Sequence, residues 1–195
     1  AGVAVLPKTA TRPLPVVVYL HGSGGTVLGD GNDLRQMAEM GLAVVGMDYC
    51  QTNEAVCEAQ FAALLRYLGR QKWSDTNAVA WIGFSLGAEK VTRFWLKHTE
   101  ARPHLLVRLA GGGLETLEWR REKEEGRTPD GATSKIQHST LNDEARGQAL
   151  LGDPTTGRKG KVQLVHGDQD EVFPVAEARG MEAVLRTNGV PVELK

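Results

Sequence analysis

Short apolar runs alternate with helix-patterned stretches along most of the chain. Val16 to Leu20 is a continuous run of aliphatic and aromatic residues. Ala43 to Met47, Ala78 to Ile82, Leu105 to Leu109 and Val162 to Val165 are further runs, each bounded by Gly, Asp or Pro. Continuous apolar strands, unlike alternating ones, belong to a sheet covered on both faces, which is a parallel sheet. The intervals predict helices. One spans Asp33 to Met40 and closes at Gly41. A second spans Asn53 to Leu68, with Val56, Ala59, Ala63 and Tyr67 as its apolar stripe and Gly69 at its end. A third covers Leu86 to Lys97. A fourth follows Pro174, shares a face among Ala178, Met181 and Leu185, and stops at Asn188-Gly189. Val190 to Leu194 reads as a final strand. The alternation predicts one α/β domain over residues 1–195, with a doubly wound, mostly parallel sheet.

One stretch breaks this rhythm. Residues 114–160 are polar, with an eight-residue charged centre from Glu118 to Glu125 interrupted only by Trp119. Arg120 with Glu124 and Arg121 with Glu125 are spaced for ion pairs along a helix. The segment reads as a solvated insertion, and its place in the chain also suits a lid over the carboxyl edge of the sheet.

Charge narrows the partners. With 23 basic and 24 acidic residues the net charge is −1, so neither nucleic acid nor a membrane surface is an expected partner. No apolar run approaches the roughly 20 residues of a membrane-spanning helix. Cys50 and Cys57 are the 2 cysteines, too few for a disulfide framework or a zinc site. A local bridge and two free thiols both remain open, and so does the compartment.

Three segments carry chemistry. Gly83-Phe84-Ser85-Leu86-Gly87 follows an apolar run and opens a helix. A serine in so sharp a turn stands proud of the sheet at the positive end of a helix, with small residues on each side allowing close approach. His21-Gly22-Ser23-Gly24-Gly25 follows the run ending at Leu20. Its glycines leave backbone N–H groups accessible, and acyl transfer needs two such donors at the developing oxyanion. Ser23 or Gly24, together with Leu86, are the candidates. His166-Gly167-Asp168-Gln169-Asp170 follows the run ending at Val165 and supplies two carboxylates, of which either could orient a histidine.

Taken together, H-G-S-G-G, G-F-S-L-G and H-G-D-Q-D-E-V-F-P resemble the α/β-hydrolase superfamily, nearest its dienelactone-hydrolase-like and carboxylesterase branches. The resemblance runs from about Val16 to Leu194 and is loosest after Leu114. It implies Ser85 as nucleophile and Asp170, rather than Asp168, as triad acid. It implies ester chemistry on a small-molecule substrate, with no cofactor and no metal. Asp48-Tyr49 resembles a pair that is usually structural in this superfamily. Dienelactone hydrolases proper carry cysteine where this chain has Ser85, and Ala88 stands where many related peptidases have a second glycine.

The superfamily places its catalytic histidine after the last core strand, and the sequence here reaches Lys195 at the end of that strand. The histidine is therefore expected beyond Lys195. His98 and His104 flank the entering end of a strand, His21 and His166 suit loop-shaping roles, and His138 precedes the acid in chain order. The leading expectation is a carboxylesterase-type serine hydrolase working through an acyl-enzyme. A non-catalytic binding protein of the same fold, or a peptidase or acyltransferase using the same site, are the alternatives.

Overall fold

The structure, a computed structural model, describes residues 1–8, 12–98, 103–112, 160–187 and 189–195. Seven strands form one sheet in the order β1-β3-β2-β4-β5-β6-β7. They are β1 (Gly2–Val5), β2 (Leu14–Leu20), β3 (Ala43–Met47), β4 (Ser74–Phe84), β5 (Leu105–Leu109), β6 (Lys161–Val165) and β7 (Val192–Leu194). The helices are α1 (Gly31–Glu39), α2 (Glu54–Leu68), α3 (Leu86–Lys97) and α4 (Val175–Thr187). All neighbouring pairs are parallel except β1 with β3. The mostly parallel, doubly wound sheet expected from the sequence is present. The proposed lid of 114–160, its ion pairs and His138 lie outside the described residues, apart from Gly160.

Crossover direction decides which face each helix covers. From β2 the chain moves outward to β3 through α1. It then returns over β2 to β4 through α2, and proceeds to β5 through α3. Right-handed crossovers in opposite directions lie on opposite faces. Accordingly α1 packs Leu34 and Ala38 on Val17, Tyr19 and Val44. On the other face α2, α3 and α4 cover Val16, Val18, Trp81, Leu106 and Leu164. Phe61, Trp81 and Phe94 centre that larger core, with Phe61 edge-on to Trp81 at 5.2 Å and to Phe94 at 5.4 Å.

β1, β4, α2 and β7 are among the elements that differ from the sequence reading. β1 is absent from that reading, because its burial alternates along only 4 residues at the sheet's edge. β4 begins at Ser74, not Ala78, since its polar start pairs with Leu14 and Pro15 before β5 joins at Ala80. The stripe expected on α2 is rotated. Cys57, Phe61, Leu64 and Leu68 are buried, whereas Val56 and Tyr67 are 46% and 45% exposed. The aromatic cluster around Phe61 fixes that rotation, outweighing the apolar content of Val56 and Tyr67. β7 is shorter than the run from Val190 because Pro191 has no N–H to donate; its carbonyl accepts from Val162 instead.

The helix limits follow local chemistry. The Asn53 side chain accepts from the Val56 N–H, capping α2 at its expected start. Gly41 ends α1 at φ +89°, where a side chain would be strained. Cys50 and Cys57 are both free thiols. Burial pushes the Cys57 thiol up to about 12. Among the described residues, no helix is long and apolar enough to cross a membrane.

Candidate active site

Register brings the three motifs to one edge. Phe84 pairs with Leu109, and Leu109 with Val165, so the residues after them leave the sheet side by side. The Ser85 N–H donates to the Leu109 carbonyl at 2.9 Å, and the Ala110 N–H to the Val165 carbonyl at 2.9 Å. Leu20 pairs with Gly83, which brings the 21–25 loop beside the turn at Ser85. β4 and β6 are two strands apart, about 10 Å between axes, a gap that long side chains can close.

Ser85 carries unusual backbone geometry, with φ 50° and ψ −118°. Such angles cost a non-glycine residue roughly 1–3 kcal/mol and persist only where neighbours enforce them. The neighbours are visible. A Cβ on Gly83 would lie 2.5 Å from the Ala88 nitrogen, and one on Gly87 would collide with the Leu20 carbonyl oxygen. Strand and helix therefore meet as closely as backbone allows. Ser85 takes the N-cap position of α3, yet its hydroxyl makes no capping bond. The first-turn N–H groups of a helix, Leu86's among them, have no intrahelical partner.

The 21–25 loop touches this turn. A Cβ on Gly22 would lie 3.4 Å from the Ser85 Cβ. Tyr49 donates its hydroxyl to the His21 carbonyl at 2.7 Å, and Asp48 accepts the Val27 N–H at 2.7 Å. Asp48 and Tyr49 thus hold the loop from below, in the structural role the sequence suggests. His21 is buried, with Nδ1 2.7 Å from the Gly22 carbonyl and Nε2 3.4 Å from Asp48. The Gly24 N–H donates to the Gln51 side-chain oxygen at 3.3 Å. Sequence reasoning misses Gln51, whose contact spans 27 residues and has no local signature. With Gly24 engaged there, Ser23 is the loop donor left to consider beside Leu86.

Asp170 and Asp168 share a turn but not an environment. Asp168 is exposed. Asp170 Oδ1 accepts the Val172 and Phe173 N–H groups, each at 2.9 Å. The Phe173 N–H, then the Val172 N–H and His166, hold its carboxyl below the usual aspartate range despite some desolvation. Its folded value is depressed, so its contribution to stability is present above the ordinary aspartate value. That contribution is lost as pH falls through the lowered one. The His166 Nε2 lies 2.5 Å from the Phe173 carbonyl and 3.7 Å from Asp170 Oδ2. These contacts commit the ring to its own turn, which it shapes. His104 donates its backbone N–H to Val79 at the entering end of β5, far from the Ser85 edge. His98, at the end of α3, faces Glu58. Among the described residues, no group of acidic, histidine and cysteine side chains is arranged to hold a metal.

A central parallel sheet with one antiparallel edge strand, helices on both faces and a strained serine between strand and helix define the α/β-hydrolase fold. The solved structures it resembles share that fold. A protein described as a candidate dienelactone hydrolase from Klebsiella pneumoniae superposes with TM-score 0.69 at 16% identity, covering 100% of this chain and 78% of that one. A thermophilic esterase from Thermogutta terrifontis, solved with bound propionate, gives 0.66 at 15% identity, covering 100% and 76%. An acylaminoacyl peptidase from Pyrococcus horikoshii gives 0.69 at 14%, covering 100% of this chain but 34% of the peptidase. No profile of a known protein family matches the sequence, and no curated protein is similar to it in sequence.

Proposed function

We propose that this chain forms the core of a serine hydrolase that cleaves carboxylic esters of small molecules. The observation that carries the reading is the strained turn at Ser85, wedged between β4 and α3 by Gly83 and Gly87. Strain of this kind costs stability, and the Ser85 hydroxyl makes no capping bond to α3. It does present Oγ above the sheet, beside helix N–H groups suited to an oxyanion.

In this reading Ser85 Oγ attacks the ester carbonyl while a histidine takes its proton. The carbonyl π-electrons move onto oxygen, and the oxyanion is received by the N–H groups of Ser23 and Leu86. The tetrahedral centre collapses, the C–O bond to the alcohol breaks, and the histidine returns the proton to the departing alkoxide. Water then repeats the sequence on the acyl-enzyme and releases the acid. Asp170, held ionised by its two backbone donors, orients the histidine.

Support for a hydrolase reading comes from the solved structures this fold resembles. The Thermogutta terrifontis esterase 2 has been solved phosphonylated by sarin and phosphorylated by paraoxon. Ester specificity is tested by turnover of p-nitrophenyl acetate and butyrate against acylated peptide anilides, using the full-length protein. Esters are expected to be hydrolysed with kcat/KM at least about 100-fold above the anilides. The opposite order would move the reading to a peptidase, and turnover of neither would favour a binding protein.

A further inference from the structure

Side chains of the loop that follows β3 reach across to residues 21–27. Tyr49 and Asp48 hold the two ends of that loop, at the His21 carbonyl and the Val27 N–H. Gln51 takes the middle, where the Gly24 N–H donates to its Oε1 at 3.3 Å. The Cys50 N–H donates to Gln60 Oε1 on α2 at 2.7 Å, which fixes the backbone from which Gln51 extends. The tip of the 21–27 loop has little packing of its own. Ser23 and Gly24 are exposed, and a Cβ on Gly24 would meet nothing within 4 Å.

That tip is a tight turn. The Gly25 N–H donates to the Gly22 carbonyl at 3.2 Å, leaving Ser23 and Gly24 as the central residues. Gly24 has φ +69° while Ser23 stays on the negative side, the pattern of a type II turn. Glycine enters negative φ as readily, so the same turn closes as type I once its middle peptide rotates about half a turn. The N–H of that middle peptide is the one Gln51 accepts. Gln51 therefore selects between two backbone states. Gly22 lies against the nucleophile turn, a Cβ there being 3.4 Å from the Ser85 Cβ, so the Gly22–Ser23 peptide borders Ser85. An oxyanion donor lowers the barrier only where its aim is fixed before the reaction.

We propose that Gln51 is a positioning residue for acyl transfer: by holding the Gly24 N–H, it keeps the 22–25 turn in the form that aims the Ser23 N–H at the oxyanion. This inference rests on Ser85 and Ser23 having the roles proposed above. In the full-length protein, Gln51→Met keeps the length of the side chain and removes the acceptor. It should lower kcat for p-nitrophenyl butyrate about 30-fold, with KM changed less than about threefold. Affinity for a trifluoromethyl ketone, whose hemiketal oxygen takes the place of the oxyanion, should weaken by the same factor. Gln51→Glu retains an acceptor of equal reach and should keep kcat within about fivefold of the parent. Circular dichroism establishes folding before rates are compared, and Gln51→Ala stands in where Gln51→Met does not fold. An unchanged kcat in Gln51→Met, a loss confined to KM, or equal losses in the Met and Glu variants would overturn the proposal. A rise in kcat would overturn it too, since Gln51 would then be withholding the Gly24 N–H from the oxyanion. If parent protein fails to react with a fluorophosphonate at Ser85, the catalytic reading itself has failed. Normal Ser85 reactivity with an unaffected Gln51→Met removes this inference alone.

Discussion

Ser85→Gly is expected to abolish ester turnover and, at the same time, to make the protein more stable. Both outcomes follow from one torsion angle. Ser85 sits at φ 50°, a region glycine enters without a Cβ clash. Relief of strain is worth about 1–3 kcal/mol, and the added freedom of glycine in the unfolded chain takes back about 0.5–1 kcal/mol. The net gain is about 1 kcal/mol, or roughly 2–4 °C in Tm for a chain of this size. Ser85→Ala keeps the Cβ and the strain, so it should lose activity without that gain. Turnover in either variant should fall by at least about 10⁴-fold, leaving only what binding and the oxyanion donors supply. Thermal melts of parent, Ala and Gly proteins by calorimetry check the pattern. If Gly melts below Ala, the turn is not strained in the way its geometry implies.

The second large effect separates two aspartates. Asp170→Asn should reduce kcat about 10⁴-fold, because an amide supports the wrong histidine tautomer and does not stabilise the imidazolium. The amide oxygen of that variant can still accept the Val172 and Phe173 N–H groups, so the turn should survive. Asp168→Asn alters an exposed position and should cost less than about threefold. Steady-state kinetics on p-nitrophenyl butyrate measures both. The reverse ranking would place the acid two residues earlier and leave Asp170 as a turn-former.

Much of this arrangement is legible in the chain itself, for identifiable reasons. β2 and β3 are buried on both faces, so they read as continuous apolar runs. Ser85 declares itself through glycines that the backbone contacts require. What stays hidden depends on partners distant in sequence. β1 has too few apolar residues to stand out until β3 pairs with it. The buried face of α2 is misread from sequence because Val56 and Tyr67 are as apolar as the residues that win the core. Gln51 with Gly24 joins segments that no local pattern links.

The central claim, that Ser85 is a covalent nucleophile, is tested most directly by reaction of the full-length protein with a fluorophosphonate. Intact mass should rise by one phosphonyl group with loss of fluoride. Peptide mapping should find that group on the segment containing Gly83-Phe84-Ser85-Leu86-Gly87, and Ser85→Ala protein of native circular dichroism should take up none. Label on another residue, label that persists in the Ala variant, or no label on folded parent protein would contradict the account.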